Sequence, residues 1–107
     1  MDSLRQDDVA SAARTEALEV RDAPDAGRYE LVRDGQVIGF ASYRRTGDRV
    51  MVPHVEVDRR EEGRGLGGRL VQGMLDDLRA RQLQVVPMCA FAATWIRRNP
   101  AYQDLVA

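Results

Sequence analysis

Gly63-Arg64-Gly65-Leu66-Gly67-Gly68 packs four glycines into six residues, and the two segments it joins have different periods. Ahead of it, Val50–Val57 reads as a strand, and around His54 polar and apolar residues alternate. Pro53 interrupts that run; lacking a ladder donor, it marks a strand edge or a bulge. Behind the glycines, Leu66, Leu70, Val71, Met74, Leu75 and Leu78 recur at helical spacing, with Arg69, Asp76, Asp77 and Arg79 on the other face. The spacing predicts a helix that starts near Leu66 and ends near Arg81. A strand must therefore hand over to a helix N-terminus at this loop. The first N–H groups of a helix have no intrahelical acceptor, and the helix dipole adds positive charge there. Glycines admit positive φ and let a ligand approach the backbone closely. Such a loop is suited to a diphosphate; the alternative is a tight turn with no ligand.

The type of diphosphate ligand is narrowed by what is missing. Gly63, Gly65 and Gly68 satisfy G-x-G-x-x-G, but a dinucleotide fold needs an acid at the end of the next strand, and Val85-Val86-Pro87-Met88-Cys89 has none. A nucleoside-triphosphate loop needs a Lys followed by Ser or Thr. All 16 basic residues are Arg, so that motif is excluded. The same usage fits GC-rich coding in a bacterium. What remains is a diphosphate held by backbone N–H groups without a metal.

The rest of the chain reads as a meander followed by one crossover. Ala17–Arg21 alternates as a short edge strand, Asp22–Gly27 is a loop, and Tyr29–Arg33 is a strand. Asp34-Gly35 is a strong hairpin signal, and Gln36–Arg44 returns. Thr46-Gly47-Asp48 turns into Val50–Val57. After the long helix, Leu83–Cys89 is a short buried strand, placed by the helical crossover to lie parallel to Val50–Val57. Ala92–Arg98 is a short helix stopped at Asn99-Pro100, and Tyr102–Val106 is a terminal tail. Residues 1–16 are polar and are expected to be a flexible extension, with a short helix possible only at Asp8–Arg14. The expected fold is one small α/β domain over residues 17–107. It is a mixed, mostly antiparallel sheet of about five strands, with one long and one short helix.

Charge and cysteine content set the compartment and exclude partners. The 107 residues carry 16 basic and 17 acidic groups, a net charge of −1, which gives no reason to expect nucleic acid or a membrane surface as partner. No apolar run approaches the roughly 20 residues of a membrane span, and Asp2, Asp7 and Asp8 are unlike a secretory leader. Cys89 is the one cysteine, so no internal disulfide forms and a cytoplasmic setting is expected.

Four blocks in order carry a resemblance. His54-Val55-Glu56-Val57, Glu62-Gly63-Arg64-Gly65-Leu66-Gly67, Val85-Val86-Pro87-Met88-Cys89-Ala90-Phe91 and Trp95-Ile96-Arg97-Arg98-Asn99-Pro100-Ala101-Tyr102 are similar to the minimal, roughly 100-residue N-acetyltransferase-like family of the GNAT superfamily. Glu62–Gly67 looks like that superfamily's Gln/Arg-x-x-Gly-x-Gly/Ala loop, and the likeness runs from about Leu18 to Val106. The resemblance implies an acetyl-CoA-dependent N-acetyltransferase acting on an amine, free or on a protein; the alternative is a coenzyme A or acyl-CoA binding module without turnover. It implies that the pantetheine arm lies in a split between Val50–Val57 and Leu83–Cys89. Val55, Glu56 and Val57 would then orient the thioester, while Glu62, Gly63, Arg64, Gly65, Leu66, Gly67 and Gly68 cradle the diphosphate, with Arg98 and Asn99 as further coenzyme contacts. The family usually has Arg at the position of Glu62, Thr at Val55, Cys-Pro-Phe at Cys89-Ala90-Phe91, and His at Asn99. Any role that rests on that last His has no imidazole here.

Two side chains are candidates for chemistry. Cys89 would end the second strand beside the thioester, where a thiolate can accept the acetyl group; the plain reading is a small buried hydrophobe. His54 is the sole histidine and so the sole imidazole base available, for an incoming amine or for Cys89; the plain reading is a hydrogen-bonded strand residue. Phe91, Trp95 and Tyr102 are expected in the core and lid, and Arg64, Arg97 and Arg98 are possible phosphate partners.

Overall fold

Asp34 and Gly35 both take positive φ, 52° and 81°, the geometry that lets two right-twisted strands meet through two residues. They join β2 (Arg28–Arg33) to β3 (Gln36–Thr46), and a second tight turn leads into β4 (Arg49–Val57). β1 (Leu18–Ala23) lies outside β2. The computed structural model describes residues 17–107; the expected extension, including Asp8–Arg14, lies outside them. Helix α1 (Leu66–Ala80) crosses over to β5 (Gln84–Pro87), and α2 (Ala90–Arg98) follows. Short 3₁₀ turns occupy Pro24–Ala26, Arg59–Glu61 and Pro100–Leu105. The sheet order is β1-β2-β3-β4-β5, antiparallel except for the parallel β4–β5 pair.

Several boundaries differ from the sequence reading for physical reasons. β1 runs to Ala23 because its partner β2 starts at Arg28 and the two stay in register, Ala23 opposite Arg28. β5 stops at Pro87, because β4 turns away from it there. α2 begins at Ala90, since Cys89 caps it. The terminal segment is a 3₁₀ turn rather than a loose tail, and Val106 bridges β5 at Val85.

α1 buries the face that its spacing predicts: Leu66, Leu70, Val71, Met74, Leu75 and Leu78. They pack on Tyr29, Leu31, Ala41, Val50, Val52 and Val85 of the sheet, with Ile96 of α2 closing one end. At the far end of α1 polar groups fasten it to the meander. The buried Tyr29 hydroxyl donates to Asp77 at 2.5 Å, and Arg81 bridges Asp77 and Asp22 at 3.2 and 3.0 Å. Tyr43 donates to Asp22 at 2.6 Å, and burial together with that carboxylate pushes its phenol up to about 12.

Gly73 marks the closest approach of α1 to β1. A Cβ there would stand 2.5–2.6 Å from the Val20 side chain, its branch carbon included. In an exposed helix, Gly→Ala gains about 1 kcal/mol. Here the helix would have to lift off β1, an overpacking cost of roughly 1–3 kcal/mol. Gly73→Ala is therefore expected to lower the melting temperature by several degrees, and a thermal melt that rises instead would show that the contact yields.

Candidate functional site

The parting of β4 from β5 is built by one surplus residue. Ser42 pairs with His54 and Arg44 with Met51, so Val52 and Pro53 together face the single residue Tyr43. That is a β-bulge, and it falls on the proline that cannot donate to a ladder. β4 and β5 pair from Arg49–Gln84 to Val52–Pro87 and no further. At the vertex the Met88 and Cys89 N–H groups both donate to the Val52 carbonyl, at 3.0 and 3.2 Å. The chain then swings into α2 while β4 runs on alone. In this short sheet the split lies one strand from the edge.

Beyond the bulge, β4 keeps β3 on one side and has an open edge on the other. Asp58 N–H donates to Ile38 O at 2.7 Å, which fixes the phase of the β3–β4 ladder. Counting back in twos, Glu56 and His54 turn their backbone groups toward β3, and Val55 and Val57 turn theirs into the split. Of Val55, Glu56 and Val57, the two valines thus turn backbone groups into the split, and Glu56 turns its own toward β3. The bulge also resets the side chains. Val50 and Val52 point into the core, and Val55 and Val57 do so after an odd step. His54 and Glu56 lie on the opposite face, 56% and 59% exposed, joined by a 3.0 Å contact from Nε2 to Oε1.

Past β4 the 3₁₀ turn Arg59–Glu61 leads into the glycine loop. Gly63 and Gly65 hold φ of 83° and 72°, and Gly65 is the N-cap of α1. Alternating left-handed positions turn successive N–H groups to one side, a concavity suited to anions. No side chain caps this helix and no acid sits in its first turn. The N–H groups of Gly63 to Gly68 donate to no acceptor among the described residues; Arg69 N–H is the first to close on the helix, to Gly65 O at 3.2 Å. A cleft of about 270 Å³ runs from this loop down the open edge, lined by Val55, Val57, Leu66, Gly67, Gly68 and Phe91 among others. Phe91 is 46% exposed and lies across the first turn of α1; a Cβ on Gly67 would meet its ring at 2.7 Å. Trp95 stands likewise over Gly68, at 2.8 Å from such a Cβ.

Cys89 sits at the vertex of the split. It is the N-cap of α2, and its Sγ accepts from the Ala92 N–H at 3.4 Å. His54 and Cys89 share no hydrogen bond among the described residues. Asn99 is turned to a structural task, its amide donating to Trp95 O at 2.7 Å at the C-terminus of α2. Arg98 is exposed at the same helix end. Neither Arg98 nor Asn99 hydrogen-bonds to the glycine loop among the described residues. The Tyr102 hydroxyl donates to Asp76 at 2.7 Å, and that carboxylate raises its pKa; the ring packs against Trp95 at a tilt of 57°. Sequence reasoning passed over Arg33 and Glu61, which pair beside the loop, because nothing in their spacing relates β2 to the turn before the glycines.

An antiparallel meander, a bulged fourth strand, a glycine loop capping a long helix and a parallel fifth strand follow one another in that order. A profile of the GCN5-related N-acetyl-transferase family matches residues 28–105. The chain belongs to this family. Solved structures share the fold of this GCN5-related domain. A GCN5-like protein from Staphylococcus aureus superposes with a TM-score of 0.65 at 19% identity, covering 85% of this chain and 89% of that one. The ribosomal-protein-S18-alanine N-acetyltransferase from Escherichia coli gives 0.55 at 21% identity, over 66% of this chain and 49% of the other. An IAA acetyltransferase from Bacillus cereus gives 0.51 at 16%, over 66% and 51%. The GCN5-related domain thus spans about half the length of the latter two. A search of curated protein sequences finds no significant match. No described helix is long and apolar enough to cross a membrane.

Proposed function

We propose that this domain transfers an acetyl group from acetyl-CoA to an amine. The observation that carries the reading is the continuity of the split with the glycine loop. From Val52 at the vertex to Val57 at the loop, five residues of strand span about 16 Å, the length of an extended pantetheine arm. A diphosphate on the N–H groups of Gly63–Gly68 would send the arm down the open edge of β4. Its amides would pair with Val55 and Val57 in place of β5, and its thioester would reach the vertex beside Cys89. The coenzyme supplies an activated acyl group; the remaining work falls to side chains at the vertex.

Cys89 is assigned as the acyl carrier and His54 as the base. The Cys89 sulfur would attack the thioester carbonyl, and the coenzyme would leave as its thiol with the proton that Cys89 gives up. The amine would then attack the Cys89 thioester; the C–S bond breaks, the amide forms, and His54 takes the surplus proton of the amine, which returns to the leaving Cys89 sulfur and restores the thiol. His54 stands on the face of β4 away from α1, so the acceptor is expected to arrive from that side, where Glu56 steadies the imidazole. The exposure of both side chains suits an amine carried on a protein or peptide as well as a free one. Steady-state release of coenzyme A thiol with a panel of small amines and peptide N-termini tests the reading. Amine-dependent, multiple-turnover release supports it. Stoichiometric binding without release would make the domain a coenzyme A binding module.

A further inference from the structure

The turn that feeds the glycine loop carries a carboxylate that the reading above leaves unused. Glu61 ends the 3₁₀ turn Arg59–Glu61, and its side chain is only 12% exposed. Oε2 accepts from the Arg33 guanidinium at the end of β2, and this bond holds the Glu61 carboxyl below its usual range, so it stays charged. Oε1 is buried and takes no hydrogen bond from the described residues. The residue also lines the cleft beneath Gly63–Gly68. A buried acceptor without a donor is unfavourable, and a carboxylate in the wall of a diphosphate pocket repels its ligand.

One cation can relieve both problems, and one is in place. Arg64 Nη1 stands 3.7 Å from Glu61 Oε1, too far for a hydrogen bond, with 65% of its side chain exposed. Its backbone is pinned between Gly63 and Gly65, inside the loop. A guanidinium carries five donors in a planar fork and can serve two oxyanions at once. We propose that Glu61 is a positioning residue for Arg64: the guanidinium closes onto Glu61 Oε1 and a coenzyme phosphate together, so a buried acid strengthens the binding of an anion. The proposal rests on the coenzyme reading above.

Simple repulsion predicts the opposite sign, which makes the test sharp. Coenzyme A is titrated calorimetrically into the parent, Glu61→Gln, Arg64→Ala and the double variant, each melted first without ligand to check folding. Each single change is expected to weaken binding on the order of tenfold, the worth of one charge-assisted hydrogen bond. The double variant should bind no more weakly than Arg64→Ala alone. Tighter or unchanged binding by Glu61→Gln, or losses that multiply, would overturn the proposal. If Glu61→Gln does not fold, Glu61→Asp replaces it. That variant keeps a charge for Arg33 but draws the carboxylate back from Arg64, and it has to show the same loss and the same silence on Arg64→Ala. A parent that binds no coenzyme A sinks the coenzyme reading and this proposal with it. A parent that binds well beside an indifferent Glu61 sinks the positioning role alone.

Discussion

Gly65→Val is expected to erase the rise in melting temperature that coenzyme A gives the parent. Ligand at about 100 times its dissociation constant adds roughly 2.7 kcal/mol to stability, and for a domain near 100 residues that is a rise on the order of 10 °C. Gly65 holds φ at 72° as N-cap of α1. A β-branched residue in that region costs roughly 1–3 kcal/mol of strain, so the loop is expected to relax and turn its N–H groups apart. Two readings come from one melt. The unliganded variant should melt lower by roughly 5–15 °C, and the ligand-induced rise should shrink to near zero. Acetyl-CoA should behave as coenzyme A does, and NAD should shift neither protein. A variant that keeps the full rise would mean that the glycine loop is a turn and the coenzyme binds elsewhere.

Cys89→Ala is expected to lower turnover on the order of 100-fold or more, while the coenzyme A shift in the melt persists. The two readouts separate because Cys89 stands at the vertex of the split and the diphosphate cradle lies at the other end of β4. Cys89 also has a structural task, accepting the Ala92 N–H at the start of α2. Cys89→Ser controls for it, since Ser is among the better N-caps: the helix stays capped and the sulfur is gone. Intact-mass measurement on the parent mixed with acetyl-CoA, without amine, should show one added acetyl group, absent from both variants. Variants that keep the parental rate would mean direct attack by the amine on the coenzyme thioester, with Cys89 left as a cap.

What could be read from residues alone follows from the range of the interactions concerned. Leu66 as the first residue of α1, the Asp34-Gly35 hairpin and the crossover to a parallel strand are local in cause: glycine torsions, helical period and the length of a crossover. Pro53 was legible as an edge or a bulge, but which of the two depends on Tyr43, ten residues back on the neighbouring strand. Val55, Glu56 and Val57 were expected together as coenzyme contacts, and only the ladder register separates the two valines, whose backbone turns into the split, from Glu56, whose backbone faces β3. Asn99 illustrates the opposite limit. Its place before Pro100 resembles a coenzyme contact, while its amide closes the end of its own helix on Trp95. Glu61 escaped notice because its significance comes from Arg33, 28 residues away in sequence.

Strike Pro53 from β4 and the strand reads Val50-Met51-Val52-His54-Val55-Glu56-Val57, in unbroken alternation. Val50, Val52, Val55 and Val57 would all face the core, and the count against β3 would come out even. The proline is thus an intercalated beat in a strand that is otherwise complete. The opening proposed for the pantetheine arm is an arithmetic remainder, left where two residues answer one. It follows that the fold does not need this residue to close its core, and that a closed core says little about whether the sheet can part. The remainder itself has to be counted, strand against strand.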